Sequence, residues 1–175
     1  MNKLITLLVV AAFMTGCAST AKDDKSISSS FIGGDLKVTY DKKGEFESIS
    51  STATAKVNSN LPNARDEAVT LATVKARRQI AEFIKTEIKS QRFIETVSNS
   101  IQESNVENAA PDTKENNRIA YTIRDTITQN SNAILQGSIL EKESFDENLN
   151  TIVVTVRVGK KDGLVLQSLK KAMGQ

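Results

Sequence analysis

The sequence predicts an α+β fold: an antiparallel sheet of about four strands, with one long and one or two shorter helices packed on one face. Three observations carry this. Residues 36–57 and 133–158 alternate apolar and polar side chains around turns rich in Gly, Asn and Asp. Between those blocks the apolar period changes to that of a helix. The composition, 39% hydrophobic and 25% charged over 175 residues, is that of a single globular domain with a real core.

Before the first element stands a leader. Lys3 supplies a positive charge, residues 4–13 are apolar apart from Thr6, and small residues close in on Gly16-Cys17. Charged start, short apolar run and small-residue cleavage site describe a secretory signal peptide over residues 1–16. The apolar run, about ten residues, is half of the roughly 20 a membrane-spanning helix needs. Residues 17–30 then read as a flexible tether: "ASTAKDDKSISSS" is small, polar and charged, without periodicity. Cys17 is the single cysteine of the chain, so it has no disulfide partner there.

The folded domain is expected over residues 31–175. Leu36, Val38 and Tyr40 alternate with polar residues before the turn Asp41-Lys42-Lys43-Gly44, and Phe46, Ile49 and the run 50–57 follow it. This is a hairpin pattern. The three-residue step from Phe46 to Ile49 breaks period two and implies a bulge or a shifted register.

Residues 63–104 then form the longest patterned segment. Asn63 is placed to cap a helix, with Asp66 three residues on as a capping-box partner. Ala68, Ala72, Ala76, Ile80, Phe83, Ile84 and Ile88 recur at helical spacing as a buried stripe, alanine-rich in its first half so that the axis can approach a neighbour closely. Opposite run Lys75, Arg78, Glu82, Lys85, Lys89 and Arg92. The cations Lys75, Arg78, Lys85, Lys89 and Arg92 are a candidate partner-binding face for an anionic polymer or an acidic protein. The commoner meaning of such a stripe is the solvated side of an amphipathic helix, with Glu82 pairing with Lys85 or Arg78.

Around Pro111 the pattern fades into a loop, and a shorter helix resumes over residues 114–129 with Ile119, Ile123 and Ile127 on one face. A second hairpin follows, with strands over 133–145 and 151–158 joined by Asp146-Glu147-Asn148-Leu149-Asn150. Val154, Val156 and Val158 point one way, and Thr155 and Arg157 the other. A last short helix over 162–173 offers Val165, Leu166 and Leu169.

The chemistry-bearing residues point away from an enzyme. No histidine occurs, which removes the usual general base, zinc ligand and Ser-His-Asp arrangement. The glycines form no phosphate-cradling loop. Glu141, Glu143, Asp146 and Glu147 cluster on a strand and its turn; strict alternation would put Glu141 and Glu143 on one face as a cation site or, more commonly, as charged guards of an edge strand. "DENLN" lacks the ligand spacing and glycine of a calcium loop. With no tryptophan and few aromatics, a sugar-stacking cleft has no platform. The net charge of +2 shows no basic excess that would attract nucleic acid.

Met14-Thr15-Gly16-Cys17 resembles the bacterial lipobox, with Met14 where leucine is usual. The resemblance implies cleavage between Gly16 and Cys17 and a diacylglycerol thioether on Cys17, with no other cofactor. Two or three acyl chains hold a protein to a bilayer durably, where one holds marginally. Ala18-Ser19 in place of an aspartate after the cysteine implies the outer membrane, on its periplasmic side. Ala64-Arg65-Asp66-Glu67-Ala68, "ATVKARRQIAEFI" at 72–84, Leu135-Gln136-Gly137 and "TIVVTVRV" at 151–158 together resemble the LPP-twenty lipoproteins over residues 50–172. The chain departs from them in its long Asn- and Ser-rich segment at 98–117.

That family, one branch of which builds rings around the flagellar motor, implies a lipid-anchored envelope protein without enzymatic activity. The expected function is structural, with self-association through an exposed sheet edge near residues 36–40 or through the long helix. The alternative is a binding module that captures a small ligand or peptide between sheet and helices. The implied partners are the membrane, through the lipid, and either another protein or a second copy; nucleic acid is not among them.

Overall fold

The computed structural model describes residues 26–58, 63–105 and 112–159. Five strands form one antiparallel sheet: β1 (Ile27–Phe31), β2 (Leu36–Tyr40), β3 (Phe46–Lys56), β4 (Ile139–Asp146) and β5 (Thr151–Gly159), in the spatial order β1-β2-β3-β5-β4. Among the described residues four α-helices accompany it: α1 (Ala64–Lys85), α2 (Gln91–Asn105), α3 (Thr113–Gln129) and the short α4 (Ser131–Gln136). The expected α+β class is what the chain adopts, with five strands rather than four.

The additional strand is β1. Its residues Ile27 to Ser30 were expected in the tether, yet the sheet already begins there. The serines explain why: Ser28 and Ser30 point to solvent while Ile27, Ser29 and Phe31 face the core. The Ser29 hydroxyl lies 2.7 Å from the Tyr40 hydroxyl, so a polar residue is buried without losing its hydrogen bond. Gly16, Cys17 and the rest of residues 1–25 lie outside the described residues, as does the expected helix at 162–173.

The first hairpin forms as patterned. Leu36, Val38 and Tyr40 are fully buried, and the register slips between Thr39 and Tyr40, so that Thr39 faces Ser48 and Tyr40 faces Phe46. That is the bulge the Phe46–Ile49 step implied. Asp41 Oδ1 accepts from the backbone N–H of Lys43 at 2.9 Å and of Glu45 at 2.7 Å, which fixes the turn. Gly44 has φ +82°, and a Cβ there would stand 2.6 Å from Ile119 Cγ2 on α3. The turn is therefore packed against a helix, and only glycine fits. With β1 on one side and β3 on the other, β2 is an interior strand. An assembly edge near residues 36–40 is thus ruled out.

The long helix breaks in two. After Thr86 a 3₁₀ turn at Glu87–Lys89 intervenes, and Ser90 leaves helical geometry altogether, extended at ψ 154°. The Ser90 hydroxyl accepts from Phe93 N at 3.2 Å, an N-cap that starts α2 in a new direction. The redirected chain buries Ile88 and brings Phe93 onto Phe31, ring centroids 5.5 Å apart. Asn63 precedes α1 but makes no side-chain cap, so the expected capping box does not form. At α3 a cap does form: Asp112 Oδ1 accepts from the N–H groups of Lys114 and Glu115.

Residues 133–136 were expected in a strand but belong to α4, ended by Gly137, whose N–H donates to Ala133 O at 2.9 Å. The short apolar run Ala133-Ile134-Leu135 fits either period, and contact with α1 decides it.

The core lies between the sheet and one helical layer. The alanine stripe Ala68, Ala72 and Ala76 seats α1 on β3 and β5, and α2 covers β1 and carries α3 on its flank. Lys75 Nζ donates to Thr54 O, Gln79 accepts from the Ser51 hydroxyl, and Phe83 packs 4.9 Å from Phe31. At its other end Arg65 stands 5.3 Å over the Phe145 ring of β4. α1 therefore runs obliquely across the whole sheet, from the β4 edge to the β1 edge. The opposite sheet face carries Ser28, Thr39, Thr52 and Thr155, whose hydroxyls pair across strands.

Candidate interaction surface

The five cations proposed as one face do not act as one. Lys75 is tied to Thr54 O at 3.2 Å. Arg78 is paired with Glu82 at 2.7 Å on the solvent side, which holds the guanidinium pKa above its ordinary value. Lys85 ends α1, Lys89 sits on the 3₁₀ turn and Arg92 opens α2. These last three are exposed and make no ion pair among the described residues. The stripe thus holds two committed cations and three exposed ones, and the exposed three are spread over the end of α1, the 3₁₀ turn and the start of α2.

The acidic cluster is divided too. A bulge between Leu140 and Lys142 resets the alternation, so Glu141 and Glu143 do not share a face. Glu141 approaches Arg157 at 3.8 Å on the open sheet face, and Glu143 approaches Arg65 at 3.9 Å on the helical side. Asp146 Oδ1 accepts from the N–H groups of Asn148 and Leu149 and shapes the turn. Glu141, Glu143 and Asp146 each have a different neighbour, and among the described residues no group of acidic side chains is placed to hold a metal ion.

Three features were not read from the sequence. Arg65 and Arg77 look like ordinary helix cations, yet Arg65 reaches β4 and Arg77 donates to Ser138 O at 3.3 Å, fastening α1 to the edge strand. The second feature is a groove on the outward side of α1. Glu67, Thr70, Leu71 and Val74, at helical i, i+3, i+4 and i+7 spacing, point away from the core stripe. With Asn63 and Asp66 they line an open groove of about 590 Å³ in which Leu71 is 49% and Val74 55% exposed. Two apolar residues one turn apart on the solvent side were legible, but the alanine face drew the pattern instead.

The third feature is the turn between β1 and β2. Ile32 has φ +52°, a left-handed conformation that a β-branched residue adopts at a cost of about 1–3 kcal/mol. Gly33 and Gly34 follow it with φ +65° and +101°, conformations that glycine adopts without such a cost. Ile32 is nevertheless an isoleucine, and 42% exposed. Its neighbour Phe31 contacts both Phe83 and Phe93, which places this turn at the corner where α1 ends and α2 begins.

Comparison with family models, curated proteins and solved structures finds no match to this chain. Among the described residues no helix is long and apolar enough to cross a membrane.

Proposed function

We propose that this chain is a non-enzymatic, lipid-anchored assembly protein of the bacterial outer membrane, held by an acylated Cys17 and facing the periplasm. The sequence supports the anchor: an apolar leader ends in Gly16-Cys17, and that cysteine is the single thiol. The observation that carries assembly is the α1 groove. Apolar side chains stand exposed on the outer side of the helix, beyond the layer that covers the core, where they suit contact with a macromolecule. Capture of a small ligand between sheet and helices is the weaker reading, because that space is filled by Tyr40, Ile49, Phe83, Phe93 and Ile123, all nearly or fully buried.

Two measurements test the two parts. Cys17→Ala is expected to move the protein from the membrane fraction to the soluble fraction and to abolish the acyl mass on the mature N-terminus; an unchanged distribution overturns the anchor. The native acylated protein, extracted in mild detergent, is expected to form regular oligomers by light scattering and electron microscopy. A monomer at every concentration overturns assembly.

A further inference from the structure

The turn between β1 and β2 holds residues with opposed conformational preferences. In the closed hairpin three successive residues take left-handed backbone: Ile32 at φ +52°, Gly33 at +65° and Gly34 at +101°. The glycines suit that state. Beyond its chain neighbours, a Cβ at either would meet no heavy atom within 4 Å, so conformation rather than space calls for them. Ile32 pulls the other way, because a β-branched residue favours extended backbone. Among the described residues the other non-glycine with positive φ is Asn150, a type that tolerates it. Little packing resists opening at Ile32, which is 42% exposed.

β1 itself is an edge strand held by one ladder, to β2. Its inner side fits its site closely: Ile27, Ser29 and Phe31 are buried, Ser29 pairs with Tyr40, and Phe31 meets Phe83 and Phe93. Every copy of the chain carries that same site. Resting on the assembly reading above, we propose that copies of this chain associate by exchanging β1, the strand of one copy filling the β1 site of another. The hinge Ile32–Gly34 extends, which releases the strain at Ile32, while the contacts of β1 are those of the closed form. From Phe31 to Asp35 the extended hinge spans about 14 Å at most, so the exchanging molecules lie against each other. Exchange is either reciprocal, giving a closed pair, or passed along an open chain. Releasing β1 from a folded molecule uncovers the Phe31–Phe83–Phe93 cluster, so the choice of partner is made as chains fold and persists on dilution.

The test uses the full-length acylated protein in detergent, carrying Ser28→Cys and Thr39→Cys together. These residues face each other across the β1–β2 ladder with hydroxyls 3.3 Å apart, so a disulfide between them reports which copy supplies β1. With Cys17 acylated, they are the only thiols. After oxidation the oligomer is expected to run as covalent dimers or larger species on denaturing gels without reductant, with the 28–39 bridge identified by peptide mass. Two hinge variants decide independently of any cross-link. After refolding, Ile32→Asn is expected to lower the oligomer-to-monomer ratio about tenfold, and Gly34→Val to raise it about tenfold, because valine is excluded from the closed turn. If wild type oligomerises but the bridge forms within single chains, or the hinge variants leave the ratio unchanged, exchange of β1 is overturned and assembly uses another surface. If wild type itself stays monomeric, the assembly reading fails with it.

Discussion

The two edge strands of the sheet are opposites. β1, with the unpromising sequence ISSSF, buries three of its five residues, lies under α2 and anchors an aromatic cluster. β4, whose ILEKESFD contains three large apolar residues, has none buried; even Ile139 and Leu140 are 45% and 43% exposed. A strand's share of the core is set by what lies over it, and α1 covers β5 but meets β4 at its margin, where Arg65 stands over Phe145 and Arg77 donates to Ser138 O just before the strand. The two edges are also protected differently. β1 is short, whereas β4 carries a bulge and the charges of Glu141, Lys142 and Glu143.

This contrast can be broken at several points. The largest effect is expected at Phe31: Phe31→Ala removes one ring from the Phe31–Phe83–Phe93 cluster and should cost about 3–5 kcal/mol in urea unfolding. A loss below about 1 kcal/mol would mean that β1 is dispensable.

Tyr40 comes next, because its hydroxyl joins β1 to β2 through Ser29 and reaches Val97 O on α2 at 3.4 Å. Tyr40→Phe should cost about 1 kcal/mol at neutral pH. Burial raises the Tyr40 pKa above 10.0, and hydrogen bonding to Ser29 and Ser100 offsets this only in part. The unfolded chain therefore releases this proton first. Stability from Tyr40 is complete below pH 10 and is lost as pH rises from there through the folded-state pKa. A stability profile from pH 8 to 12 should fall less steeply in Tyr40→Phe than in wild type.

The smallest effect is expected on β4, where Leu140→Ala should change stability by no more than about 0.5 kcal/mol. Hydrogen exchange compares the edges directly: backbone amides of β1 that pair with β2 should be protected more strongly than those of β4 that pair with β5. The reverse order would refute the contrast.

Much of this architecture was legible in local pattern. Leu36, Val38 and Tyr40, the alanine stripe of α1, Ile119, Ile123 and Ile127, and the β5 valines are all buried where their periods placed them. The bulge after Phe46 was visible as a broken alternation, and Ser90, a good N-cap residue three before Phe93, was a readable sign of the break. β1 was not legible, because a strand of serines is indistinguishable from a linker until Tyr40 offers Ser29 a partner. The division of the Glu141 cluster was equally hidden, since a bulge inverts every later side chain and leaves no mark in composition.

The sequence by itself determined the class of fold, the order of most elements and the expectation of an anchored, non-catalytic protein. Periodicity and residue chemistry are local properties, read within a few turns of chain. Tertiary structure alone decided which strands are edges, which cations are committed to neighbours, and that an apolar groove opens on the outer side of α1. Those are relations between segments tens of residues apart, and packing is what brings them into register.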